Sequence, residues 1–107
     1  MALNAQGMFV TEARRDQRED VHFRTRATTT DGRIVELLVV NVSARGLMAR
    51  CDDDQIVPNT AISVRLPGAG SITGHIRWAL GGRLGVEFYD MIELARYLQM
   101  LAEVLKK

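Results

Sequence analysis

The sequence predicts a small antiparallel β-barrel or sandwich of about six short strands, followed by one amphipathic helix. Three observations predict it. From Val21 onward apolar and polar residues alternate at a period of two, turn residues break that alternation at short intervals, and after Asp90 the period becomes helical. A chain of 107 residues, 47% of them hydrophobic, is the size of one domain and can bury a real core.

Residues 1–13 show no sustained period and read as a flexible leader. The mixed-charge block "TEARRDQRED" continues them, with residues 14–20 as a mobile arm. Val21, Phe23, Thr25 and Ala27 then fall on one face of a strand and His22, Arg24 and Arg26 on the other. Asp31-Gly32 marks a hairpin turn. "RIVELLVVN" is the longest and most β-branched strand, "SARG" a turn, "LMARC" a strand and "DDDQIVPNT" an acidic loop. "AISVRL", "SITGHIRWAL" and "RLGVEFY" complete the set, separated by "PGAG" and "GG", so that the strands occupy residues 21–89. The helix is expected over 90–106, with Asp90 as cap, Glu93 in its first turn and Lys106 and Lys107 at its end, the charge order the helix dipole favours. Leu94, Leu98, Leu101 and Leu105 make a seam that Ala95, Tyr97, Ala102 and Val104 widen to about half the circumference. Burial on the barrel accounts for such a seam. Its breadth leaves room for a helix-mediated homodimer as the alternative to a monomer.

Several function classes find no support. The apolar runs are too short to span a bilayer, and "MALNAQGMFV" lacks the basic and long apolar regions of a secretion signal, so a cytoplasmic protein without membrane insertion is expected. Cys51 is the single cysteine and reads as a half-buried structural thiol. His22 and His75 lie on different strands, without cysteine or carboxylate partners at metal-ligand or triad spacing, and read as surface or rim residues. The run Asp52 to Asp54 lacks the alternating oxygens and terminal glutamate of a calcium loop. No glycine-rich segment leads into a helix as a phosphate loop must. Nothing assembles into an enzyme, and no metal or cofactor is expected.

Net charge is only +1, which gives no general attraction to polyanions. The basic residues are nevertheless unusual in kind: of 14 Lys+Arg only Lys106 and Lys107 are lysines. Arginine's planar donor fork suits phosphate oxygens and guanine edges and faces. A genome rich in G and C would produce the same bias.

The hexapeptide "NVSARG" ends the most apolar strand with polar groups at fixed spacing. Asn41 and Ser43 are two apart and share a strand face, forming a polar ledge. Gly46 follows where a turn needs positive φ or where a ligand must approach backbone closely. The letters also spell a plain Asn/Ser-stabilised turn and a glycosylation acceptor; the absence of a secretion signal removes the second. Upstream, Arg14 and Arg18 form an RxxxR pair with Arg15 between them. Up to about 13 Å apart when extended, or adjacent on a helical turn, two such guanidiniums can close over a flat ligand carrying two phosphates.

The order "RRDQR", strand and hairpin, "NVSARG", "IRW", "RLGVEF" and an apolar helix resembles the PilZ domain, the bacterial receptor for cyclic di-GMP. The family carries RxxxR followed by [D/N]xSxxG. Arg14 and Arg18 match the first motif; Asn41, Ser43 and Gly46 match the second. The resemblance covers about residues 14–105 and implies a six-stranded antiparallel barrel, PilZ-like and split, with a C-terminal helix, in a stand-alone domain over 14–107. It implies that cyclic di-GMP is gripped between the arginine arm and the [D/N]xSxxG strand, with an unidentified effector protein receiving the signal, in motility or biofilm regulation for example. Arg15 and Trp78 are further candidates. A lone tryptophan on "HIRWAL" reads as core packing, whereas some family members place an aromatic there near the ligand. Two alternatives stand beside this: a small barrel binding single-stranded nucleic acid through its arginines, and a PilZ scaffold that binds only protein. A thin aromatic content, 6%, argues against the first and the intact motifs against the second.

Overall fold

The computed structural model describes residues 17–53 and 56–105. Six strands, β1 (Glu19–Thr29), β2 (Ile34–Ser43), β3 (Gly46–Arg50), β4 (Ala61–Leu66), β5 (Gly70–Leu80) and β6 (Arg83–Phe88), precede a helix, α1 (Leu94–Val104). The strands close into an antiparallel barrel in the order β1-β2-β3-β6-β5-β4. This is the barrel form of the predicted fold. Closure leaves no sheet edge exposed, which a sandwich of so few short strands could not achieve.

Alternation explains most of the interior. Val35, Leu37 and Val39 on β2, Ile62, Val64 and Leu66 on β4, and Leu84, Val86 and Phe88 on β6 all point inward and are buried. Cys51 lies buried among them as a free thiol. The β5–β6 connection is a two-residue hairpin through Gly81 and Gly82, both at positive φ, the conformation that matches strand twist and that side chains resist. β1 begins at Glu19, so the last two residues read as arm belong to the sheet, where Glu19 pairs with Val42 and Asp20 with Asn41.

The helix departs from its predicted outline in two ways. It starts at Leu94 with Glu93 at the N-cap, and Asp90 does not cap it. Residues 90–93 are instead drawn across the end of the barrel: Ile92 is buried, and its N–H donates to the Ala44 carbonyl at 2.9 Å. The buried stripe is also rotated from the leucine seam. Tyr97, Met100, Leu101 and Val104 pack on the barrel end, while Leu98 and Leu105 are exposed. Only Arg96, Gln99 and Glu103 are polar within α1, so apolar periodicity alone cannot fix which part of so wide an apolar face turns inward. Lys106 and Lys107 lie outside the described residues.

Candidate functional site

Three β-bulges build the site. Between Asp20↔Asn41 and Phe23↔Val39, two residues of β1 oppose one of β2. Between Val39↔Ala49 and Asn41↔Met48, β2 carries Val40 as an extra residue against β3. Between Ile76↔Val86 and Trp78↔Gly85, β5 carries Arg77 as an extra residue against β6. A bulge shifts the phase of alternation, so every residue beyond it changes face. Without the extra residue, Asn41 and Ser43 would continue the inward series Val35, Leu37 and Val39. With it, Val42 takes the next inward place, fully buried, and Asn41 turns outward. In the same way Trp78 would continue inward after Gly74 and Ile76. The bulge at Arg77 sends it outside, where it is 40% exposed. Core packing, the plainest reading of this tryptophan from sequence, is overturned.

These bulges align one lateral row on the outer face. Asp20, Asn41, Met48, Gly85 and Trp78 are successive cross-strand partners over five strands, so Asn41 and Trp78 are three strand spacings apart, about 14 Å measured along the curved sheet. At one end of the row the Arg18 guanidinium donates from Nη1 to the Asn41 side-chain oxygen at 2.9 Å. The two sequence motifs, 23 residues apart, therefore meet. At the other end the five-membered ring of the Trp78 indole lies over Gly85. A Cβ at Gly85 would overlap indole Nε1, so only glycine lets the ring settle on the sheet.

Between these ends runs a groove of about 340 Å3 lined by Arg18, Arg45, Gly46, Arg77, Trp78, Gly85 and Glu87 among others. Three guanidiniums face one carboxylate there, and Arg77 Nη1 lies 3.1 Å from Glu87 Oε1. His75 stands beside the groove, 3.6 Å from the same carboxylate oxygen and stacked on Tyr89 at 5.9 Å. A larger concavity, about 470 Å3, lies elsewhere on the barrel, lined by Arg24, Glu36, Arg50, Asp52 and Asp53. Its charges are mixed and it contains none of the motif residues, so size does not decide between the two.

Ser43 and Gly46 enter differently from the ledge that spacing implies. Ser43 is 3% exposed, and its Oγ accepts the Arg45 N–H at 3.1 Å, which stabilises the two-residue turn Ala44-Arg45. Gly46 is not at positive φ. A Cβ there would overlap the Val86 carbonyl oxygen, so glycine is required by the approach of β6. The turn's own carbonyls are also used: Arg45 O accepts from Phe88 N at 2.8 Å, and Ala44 O from Ile92 N. The hairpin is thus bonded on one side to the chain that leads into α1. Arg14 and Arg15 lie outside the described residues.

Sequence reasoning passed over Arg45, Arg77 and Gly85. A glycine within the strand "RLGVEF" was the available signal for Gly85, because it marks close approach. The two arginines carry no signal apart from the bulge and turn that aim them. Among the described residues no group of His, Cys, Asp or Glu could hold a metal, and no helix is long and apolar enough to cross a membrane.

Arginines and an exposed indole around an outer groove are groups whose chemistry suits planar, anionic ligands. The PilZ domain family model matches residues 12–104, and the chain belongs to the PilZ domain family, known as a cyclic di-GMP receptor module. Members of the family are ligand-binding or adaptor modules rather than enzymes. Among solved structures, the crystal structure of the PilZ domain of CeSA from a cellulose-synthesizing bacterium superposes with a TM-score of 0.60 at 19% identity, covering 84% of this chain and 96% of that one. At that identity the likeness is one of fold. No curated protein matches the chain.

Proposed function

We propose that the protein is a cytoplasmic sensor that binds cyclic di-GMP in the groove between Arg18 and Trp78 and passes the signal to a partner protein, without catalysis. The observation that carries this reading is the 2.9 Å contact of Arg18 with Asn41, which joins the RxxxR arm to the [D/N]xSxxG strand at the groove's edge. Arg18 and Arg14 supply charge-assisted donors to phosphate oxygens or guanine edges, with Arg15 as a further donor. The Asn41 amide offers both donor and acceptor to a guanine or to backbone. Trp78 presents an indole face on which a purine or a guanidinium can lie. Gly46 keeps the groove floor flat, and Ser43 acts through the turn that aims Arg45.

The same hairpin bonds the segment entering α1 through Ala44 O and Arg45 O, so ligand contacts at Arg45 bear directly on the helix end. Calorimetry with cyclic di-GMP, GMP and a short single-stranded RNA tests the reading. Tight binding of cyclic di-GMP alone is expected. RNA binding of equal strength would favour a nucleic-acid barrel, and no heat with any of the three would favour a protein-only module.

A further inference from the structure

The groove between Arg18 and Trp78 contains one side chain at odds with an anionic ligand. Arg18, Arg45, Arg77 and Trp78 bring only donors to it, since neither a guanidinium nor an indole accepts a hydrogen bond, and Glu87 is the single acceptor side chain in the lining. That carboxylate is 46% exposed, so a ligand in the groove can touch it. It repels phosphates, and lowers affinity unless the ligand gives it donors in return.

Its place in the sheet points to those donors. Gly85 and Glu87 are two apart on β6 and share the outer face, so Glu87 follows, by about 7 Å along the strand, the glycine on which the Trp78 ring lies. A base stacked on the indole can turn one edge to the carboxylate. Arg77 Nη1 at 3.1 Å and His75 Nε2 at 3.6 Å both meet Oε1, which holds the carboxylate and leaves Oε2 without a bond among the described residues. Asn41 is a poor substitute, because its one side-chain oxygen already accepts from Arg18.

We propose that Glu87 is a specificity-determining residue: its carboxylate accepts from N1–H and the 2-amino group of a guanine stacked on Trp78, with Arg77 as the positioning residue that holds it. This rests on the groove being the cyclic di-GMP site. Guanine presents two adjacent donors on that edge, matched to the two oxygens of one carboxylate. Adenine presents one donor beside a ring-nitrogen acceptor, which a carboxylate repels. Arginines tell the two bases apart on a different edge, at O6 and N7. A carboxylate that only balanced Arg77 would act alike on every ligand carrying the same two phosphates.

Calorimetry of the wild type and of Glu87→Ala with cyclic di-GMP, cyclic di-IMP and cyclic di-AMP tests it. Hypoxanthine keeps the O6, N7 and N1–H of guanine and lacks only the 2-amino group. The wild type is expected to bind cyclic di-GMP about tenfold or more tighter than cyclic di-IMP, the scale of one hydrogen bond to a charged acceptor, and Glu87→Ala to bind the two within about twofold. Its preference over cyclic di-AMP should shrink as well, yet persist through the arginines. A wild type that binds cyclic di-GMP and cyclic di-IMP equally would overturn the role of Glu87 and leave the cyclic di-GMP site standing. So would a variant in which all three affinities move by the same factor, which would make Glu87 a counter-ion of Arg77 alone. A wild type that binds none of the three would overturn the site itself, and this role with it.

Discussion

β4 and β5 lie side by side in one ladder from Ala61↔His75 to Leu66↔Gly70, yet only one of them keeps its rhythm. β4 alternates without fault, with Ile62, Val64 and Leu66 inward and Ala61, Ser63 and Arg65 away from the core. β5 follows the same rule through Gly74 and Ile76, breaks it at Arg77 and delivers Trp78 to the outside. β2 does the same at Val40 and delivers Asn41. The regular strands keep their side chains in barrel register, and the interrupted ones re-aim Asn41, Arg77 and Trp78 onto its outer face. Bulges cost ladder hydrogen bonds and are retained where a side chain must be re-aimed.

The comparison breaks most sharply at glycines. Gly46→Val is expected to have the largest effect, a loss of at least about 3 kcal/mol of stability, because the new Cβ meets the Val86 carbonyl and neither backbone can retreat without opening the β3–β6 ladder. Gly85→Ala meets only the Trp78 side chain, which can swing away at about 1 kcal/mol. Urea denaturation should separate the two variants, and tryptophan fluorescence should shift in the second. Equal destabilisation would show the indole to be as fixed as backbone.

Next in size is Arg18→Ala. The residue is exposed and precedes β1, so stability should hold while affinity for cyclic di-GMP falls by about 2–3 kcal/mol, the scale of charge-assisted hydrogen bonds lost from a desolvated complex. Calorimetry beside thermal melting measures both. Unaltered affinity would detach the arginine arm from the groove.

Ser43→Ala comes third. A plain turn predicts a cost in stability and none in affinity, whereas a ligand ledge predicts the reverse. Burial of the hydroxyl and its acceptance of the Arg45 N–H favour a stability cost of about 1 kcal/mol. Affinity should fall by less than in Arg18→Ala, through a loosened Arg45. A larger affinity loss with no change in urea midpoint would restore the serine to direct contact.

The barrel was legible because its strands obey a period of two and its turns carry Gly, Pro, Asn and Asp where backbone demands them. The [D/N]xSxxG motif was legible as a spacing, but the bulge at Val40 that turns Asn41 to the outer face beside Arg18, while Ser43 stays buried, was not. Trp78 reads as core packing because it is a lone tryptophan in a small barrel, and the alternation that reads β4 correctly would turn it inward as well. A bulge leaves no mark in local composition; it is decided by pairing with β6, where Gly85 offers the indole a seat. The helix roll was hidden for a related reason. An apolar arc that wide satisfies the barrel at several rotations, and the one adopted buries Tyr97, Met100, Leu101 and Val104 while Arg96 bonds the Ala69 carbonyl on the β4–β5 turn.

The smallest expected effect lies at the opposite end of the barrel, in the β1–β2 turn, where an arginine is held quite differently from Arg18. Arg33 bonds two carboxylates, Asp31 through Nε at 3.2 Å and Asp53 through Nη1 at 2.6 Å, whereas Arg18 bonds a neutral amide. A guanidinium matched to carboxylates is committed to structure, and one resting on an amide can exchange it for phosphate. The Thr29 hydroxyl, which donates to Asp31, and Arg33 hold the Asp31 carboxyl below its usual range. A depressed carboxylate contributes stability above its unfolded pKa, near 3.9, and loses it as pH falls through the folded value. The wild type should therefore weaken in acid more than Asp31→Asn does, with the two converging below that range. Because Asp31 is solvent-exposed, the difference should be slight. Urea midpoints of both proteins at neutral pH and in acid measure it. An Asp31→Asn variant that tracks the wild type throughout would show the turn to be held by Asp53 and backbone alone.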